Sequence, residues 1–553
     1  MDMPSSQISM QGFDACRQPY RTAKALPHLI RQNATIYLEE ELYNQALNTL
    51  VNHLSSGNGT LDPAFVPPPE YLALISTLVV HPSLNTRATT PERVQASNAA
   101  LNYLYSVLHI AGPINAKFDQ AFTFTYFNRS RNGKKQHWHD TDKQGEQGPD
   151  AINSNIADAG SLWNCAEGFW SVVGWAFNCS VLYPKRWERW QVWLEFMCQT
   201  MEDDWAERLR YDKNSDHEMD DPDTIIVGRV QKATKRAIED SLIIKYLTPK
   251  ENDYTLKRKV LRAIFSEGNK TDTNEFGEIF RNETKKLTKE DTSKKVQQVD
   301  IDRGIYGDYL DELDDDDDDD EEIEKQSNRT RSRKPTTSTN RAINGSTNRI
   351  DGEKHISPDD EVMGGPDSLL LRQRLLGLLS TVSNHLPNKF MTPDALYDDY
   401  VEKIRPLPLP AFQAFVFPSV LPHFAPNARS SLCQCLLNFL LEPSAPKPIT
   451  DHLTQDLFEY HYLPYAANVS SVANNAKVSI TIEALMRLLL MHSALKPSER
   501  LMKALKRGIL ARTKKAKGKK RDQYTPEEES EAEYLKMSAE RMTWMLGVVA
   551  TIG

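Results

Sequence analysis

Apolar residues recur every fourth position at Leu38, Leu42, Ala46, Leu50 and Leu54, and Leu371, Leu375 and Leu379 lead at nearly the same step to Val382 and Leu386. That step keeps each set on one face of an α-helix, so both runs predict helices whose stripes need partners. Trp187, Trp190, Leu194, Met197 and Met201 alternate steps of three and four, which predicts a further helix within a segment holding seven of the nine tryptophans, Trp163 to Trp205. The longest apolar stretch, Phe169 to Tyr183, contains Asn178 and falls short of the roughly 20 residues that span a bilayer, so no membrane segment is expected. Only Thr224 to Val227 reads as a strand, and it reads equally as the start of a helix ending near Leu247.

Helix starts repeat a Thr-Pro-acid pattern at Thr90-Pro91-Glu92, Thr392-Pro393-Asp394 and Thr525-Pro526-Glu527. Thr caps free amides, Pro suits the first turn, and the acid faces the positive end of the helix dipole. Glu528 adds a capping box with Thr525. The same Thr-Pro pairs suit proline-directed phosphorylation, although capping requires nothing beyond the local chain. Gly112-Pro113 ends the helix carrying Leu101, Leu104 and Leu108, and prolines at 406, 408, 410, 443, 446 and 448 divide the C-terminal half into short helices.

A chain of 553 residues exceeds one ordinary core and predicts at least two packing units. The expected fold is all-α: an irregular helical repeat, α-solenoid-like, or multi-helix bundle units, with a long disordered acidic insertion. No repeat of fixed period is visible. The divisions expected are an N-terminal helical unit at 1–127, a polar loop at 128–158 and a Trp-rich helical unit at 159–289. A disordered linker, acidic and then Ser/Thr/Arg-rich, follows at 290–366, then a C-terminal helical unit at 367–511, a basic segment at 512–524 and a terminal helix at 525–553.

The formal charge of -9 hides two opposed blocks. Residues 301–325 hold fourteen acids and two bases, whereas ten of the nineteen residues from Lys503 to Arg521 are Lys or Arg and none is acidic. Seven consecutive aspartates, Asp314 to Asp320, read first as a solvated linker. They also suit a basic partner such as histone tails, or competition for whatever the basic block binds. Lys514, Lys515, Lys517, Lys519, Lys520 and Arg521 have the density of a nuclear import signal, with Lys506-Arg507 as an upstream half. Nonspecific phosphate contact is the second reading, without the interleaved aromatics that stack on bases.

The candidate chemistry is sparse. Trp187, Trp190 and Trp193 form either a core or a partner groove, and the core is the simpler reading. Asp212, Asn214, Asp216, Met219, Asp220 and Asp223 follow calcium-loop spacing, but His217 stands at the turn glycine and Asp223 replaces the bidentate glutamate, so an acidic linker is expected there. His137-Trp138-His139-Asp140 lacks a second ligand pair, and Cys433 and Cys435 diverge on a helix. Six scattered cysteines imply a reducing compartment rather than a disulfide framework. Met-Asp-Met-Pro-Ser-Ser-Gln at the N-terminus lacks a signal or transit pattern. No phosphate loop, nucleophile elbow, zinc-protease pair or kinase signature is present in the sequence, and neither cofactor nor metal is expected. The resulting expectation is a non-catalytic nuclear scaffold or adaptor that binds other proteins, with chromosome maintenance or DNA repair as its setting. A nucleic-acid-binding factor using the basic segment, in transcription or ribosome assembly, and an enzyme without recognisable motifs remain the alternatives.

Overall fold

The computed structural model describes residues 20–57, 59, 62–125, 152–157, 159–219, 236–248, 254–285, 363–417, 424–448, 452–517 and 525–552. Among these are twenty α-helices and two three-residue strands, so the fold is all-α, as the apolar spacing predicts. Residues 290–362 of the acidic and Ser/Thr/Arg-rich linker, most of the polar loop and the Thr224 to Val227 run lie outside the described residues, whereas the linker's expected last residues, Gly365 and Pro366, already begin the helix Gly365–His385.

The stripe from Leu38 to Leu54 is carried by two helices, His28–Glu39 and Tyr43–Ser55, rather than one. Glu41 takes a φ of 56° between them, and Leu42 is left 42% exposed. The later stripe lies on one helix, Gly365–His385, with Leu371, Leu375, Leu379 and Val382 buried. Two strands appear that no residue pattern announced. β1 (Ala23–Ala25) pairs in parallel with β2 (Ala64–Val66), and three residues are too few to display an alternating pattern.

All three Thr-Pro sites stand at helix starts, but their hydroxyls behave differently. Thr90 and Thr392 hold extended N-cap backbone without a side-chain cap bond. Thr525 forms the reciprocal box: the Glu528 amide donates to its Oγ1 (3.2 Å), and its own amide donates to Glu528 Oε2 (3.1 Å). The helix Pro91–Ile110 stops where expected, and Gly112 turns the chain at a φ of 77°.

The longest element, the spine helix Pro184–Met219, has 36 residues and runs about 54 Å. It packs against Pro69–Val80, Phe169–Leu182 and Gly365–His385. Phe169–Leu182 is apolar on every side and buried nearly throughout, as a helix inside a core must be. No helix among the described residues is long and apolar enough to cross a membrane.

Described residues before 285 and after 358 belong to one compact unit. Arg374 clasps Glu202 through two bonds, at 2.7 and 2.6 Å, and His385 meets Trp205 edge-on at 5.7 Å. Around the inner helix Val472–Met491, Glu483 is fully buried and accepts from Arg487 (2.8 Å) and from Arg541 Nε (2.6 Å) and Nη2 (3.0 Å). Arg541 lies on the terminal helix Pro526–Ile552, so this carboxylate holds that helix against the inner one.

Candidate functional site

The tryptophan stripe is interior. Trp187, Trp190 and Trp193 are buried, together with Leu194, Met197 and Met201. Trp193 Nε1 donates to Ser76 Oγ at 3.0 Å, and Trp190 Nε1 donates to Glu283 Oε1 at 2.7 Å. Large rings whose N–H groups are satisfied, as those of Trp190 and Trp193 are, stabilise a core, and all three rings are buried in it.

Trp190 meets a buried charged group that the apolar pattern does not reveal. Arg186 Nε pairs with Glu283, Nη1 donates to Asn85 Oδ1 at 2.7 Å, and Nη2 donates to the Val80 carbonyl. The guanidinium also lies 5.1 Å from the Trp190 ring centroid. His81, beside this group, bonds Ser83 Oγ at 2.8 Å and meets Phe280 edge-on. Burial, then the Arg186 and Arg93 charges, lower its pKa to about 4. A depressed histidine stabilises the fold when neutral; that contribution is full above the unfolded pKa near 6.5 and is lost as pH falls toward 4. Acidification from pH 7 to pH 4 is therefore expected to cost wild type about 2–3 kcal/mol more than His81→Gln. Urea unfolding at several pH values checks this, and parallel curves for the two proteins refute it.

Asp212, first in the calcium-like spacing, caps a different segment. Its Oδ1 accepts from the Ala237 amide at 2.5 Å and its Oδ2 from the Ile238 amide at 3.3 Å. Asn214, Asp216 and Met219 continue the spine helix, so the expected acidic linker is replaced by helix over these positions, and helical backbone does not wrap an ion as a calcium loop does. Asp220 and Asp223 lie outside the described residues, as do His137 to Asp140. Asp204 acts like Asp212, accepting from the Leu242 amide at 2.7 Å and from Arg208 at 2.8 Å, and burial raises its pKa. Glu207, one turn further on, is pushed by burial to about 7. Among the described residues, no cluster of three or more His, Cys, Asp or Glu side chains is arranged to hold a metal. Cys433 is buried, which pushes its thiol up to about 12, and Cys435 is half-buried on the same helix, Pro426–Leu440.

The basic block reaches the surface over its described residues. Lys514, Lys515 and Lys517 end the helix Glu499–Lys517; Lys519, Lys520 and Arg521 lie outside the described residues. Leu501, Leu505, Gly508 and Ala516 face inward, and a Cβ on Gly508 would collide with the Leu463 carbonyl. The ten basic residues are not equivalent. Arg512 is fully buried, donates to the Leu463 (3.0 Å) and Tyr465 (3.1 Å) carbonyls, and is pulled by burial down to about 9. Lys515 donates to Glu442 at 3.0 Å. Lys506, Arg507, Lys514 and Lys517 are exposed and form no ion pair among the described residues. They surround Leu510, itself 69% exposed. Lys506-Arg507 lie on the same helix as Lys514, Lys515 and Lys517.

Comparison of the chain with protein-family models, with curated proteins and with solved structures returns no match.

Proposed function

We propose that this chain is a non-catalytic scaffold subunit of a nuclear multiprotein complex, with chromosome maintenance or DNA repair as its setting. The observation that carries the reading is where the buried charges go. Arg186, Glu283, Arg372 and Glu483 each tie separate helices or turns of the fold together, which suits a body whose task is to hold shape. On that body Trp544 stands 70% exposed on the terminal helix, fixed through Arg541 and Glu483. Tryptophan is enriched among residues that dominate protein interfaces. The mechanism is positioning: a stiff surface presents Trp544 and Leu510 to partners, and no side chain acts chemically. The cationic run from Lys514 to Arg521 supports the nuclear address.

Affinity purification of the native protein with mass spectrometry, with and without nuclease, tests the reading. A nuclease-resistant set of partners from nuclear extract is expected, and Trp544→Ala is expected to lose at least one member. Loss of every partner to nuclease replaces the scaffold with a nucleic-acid-binding factor. No stable partner at all returns the enzyme reading.

A further inference from the structure

Among the described residues, the parallel pair near the N-terminus leaves one strand edge open. In a parallel ladder, a residue bonds to both neighbours of the residue opposite it. The Ala64 amide donates to the Thr22 carbonyl at 2.8 Å, and Ala23 lies opposite Ala64. This register turns the amide and carbonyl of Lys24 toward β2, and those of Ala23 and Ala25 away from it. Neither alanine has another backbone partner among the described residues, and all three residues of β1 are exposed.

The open edge borders a groove of about 280 Å³. Lys24, Arg31 and Lys117 line it, Pro67, Pro68 and Pro69 form part of its wall, and no acidic side chain is among its lining residues. The prolines bring no amide donors of their own, so that wall does not compete for an incoming carbonyl. β1 is also fixed in advance. Just before it, the Arg21 amide donates to the Ile110 carbonyl at 2.9 Å, and the Arg21 guanidinium donates to the Asp62 (2.6 Å) and Ser56 (2.9 Å) carbonyls. A ligand therefore meets a formed edge and need not order one.

We propose that this groove takes an extended, acidic segment of a partner protein, which adds to the edge of β1 as a third strand. The backbone of that segment meets the Ala23 and Ala25 amides and carbonyls, and its carboxylates meet Lys24 and Lys117. Lysine on an edge strand discourages pairing with a second copy. Lys24 and Lys117 beside one edge then select an acidic strand over a neutral or basic one. The inference is independent of the scaffold reading, because a chain that belongs to no complex still binds a peptide.

Fluorescence anisotropy on the full chain provides the test, with a labelled eight-residue peptide of alternating valine and glutamate as the probe. The same peptide N-methylated at alternate amides is expected to bind at least about tenfold more weakly, because its edge bonds are blocked. Ala25→Pro removes an amide that points away from β2 while leaving the Lys24 and Ala64 amides in the ladder, and it is expected to weaken binding about as much. Lys117→Glu is expected to weaken it roughly fivefold, more at low salt than at high. Equal affinity for the N-methylated peptide, measured on the wild-type protein, overturns strand addition whatever the variants do. So does an absence of binding both in the full chain and in a variant lacking residues 1–17. Binding of a 20-nucleotide single-stranded DNA that excludes the peptide overturns the proposal in favour of a phosphate ligand.

Discussion

Arg372→Ala is expected to destabilise the folded unit by about 3–5 kcal/mol and to separate the unfolding of the helices before residue 285 from that of the helices after 363. Arg372 is fully buried on Gly365–His385 and forms no ion pair among the described residues. Its Nε donates to Ser368 Oγ at 3.1 Å, Nη1 to the Ile264 carbonyl, and Nη2 to the Ser266 (2.8 Å) and Met363 (3.3 Å) carbonyls. Ile264 ends the helix Tyr254–Ile264, so the guanidinium satisfies carbonyls that have no partner within that helix and sits at the negative end of its dipole. Its other face lies 4.0 Å from the Phe177 ring centroid. Alanine leaves the carbonyls dry and unpaired and opens a cavity against Phe177. Arg372→Met refills the volume but not the bonds, so about half the loss is expected to return. Guanidinium unfolding followed by tryptophan fluorescence and by far-ultraviolet circular dichroism reads both effects, since six of the seven clustered tryptophans precede the Trp205–His385 contact. Coincident transitions within about 1 kcal/mol of wild type for both variants refute the assignment.

Nothing in the sequence singles out Arg372. Next to Leu371 in an amphipathic run it reads as an arginine leaning toward water, because arginine is rarely fully buried unless paired. The stripe beside it is legible, since Leu371, Leu375, Leu379 and Val382 share one face and bury together. The same reading fails at Glu41, whose left-handed backbone splits one leucine stripe between two helices; no glycine or asparagine stands there to announce it. Capping divides in the same way. The Thr-Pro-acid pattern marks where helices begin, because it acts through backbone geometry that Pro and Thr impose locally. Whether the threonine hydroxyl then reaches an amide depends on its rotamer, and only at Thr525 does it do so with Glu528 as partner.

The functional segments are legible to different depths for a related reason. Charge density locates the basic helix but not which of its cations face water. That depends on the helical angle at which Leu501, Leu505 and Ala516 seat it, an angle that buries Arg512 and exposes Lys514 and Lys517. Aspartate spacing locates Asp212, but its use as a cap for Ala237 depends on a segment 25 residues away. The β1 groove carries no motif at all. Its cations come from positions 24, 31 and 117, which only the fold brings together.

Glu283 is the second place where one side chain decides a large energy. Trp190, which donates to it, lies 93 positions earlier, so the pair is invisible to any local pattern. Both carboxylate oxygens are committed: Oε1 to Arg186 and Trp190 Nε1, Oε2 to the amides of Ile279 (3.2 Å) and Phe280 (3.1 Å). Removing one partner of a buried pair leaves the other charged and unpaired, so Glu283→Ala is expected to cost about 3–5 kcal/mol. Glu283→Gln separates charge from shape. It keeps the volume and one acceptor, yet it leaves the Arg186 charge without its counterion, and a loss of at least about 2 kcal/mol is expected from the charge alone. Arg186→Met combined with Glu283→Gln should then be less destabilised than the two single changes summed, by about 1–3 kcal/mol, because the second change removes the charge that the first left stranded. Urea unfolding at pH 7 and at low and high salt checks the cycle, and salt should barely change it for a pair this far from solvent. An additive cycle would mean that Arg186 is held by Asn85 and Val80 alone, with Glu283 merely fastening the Ile279–Phe280 turn to the spine helix.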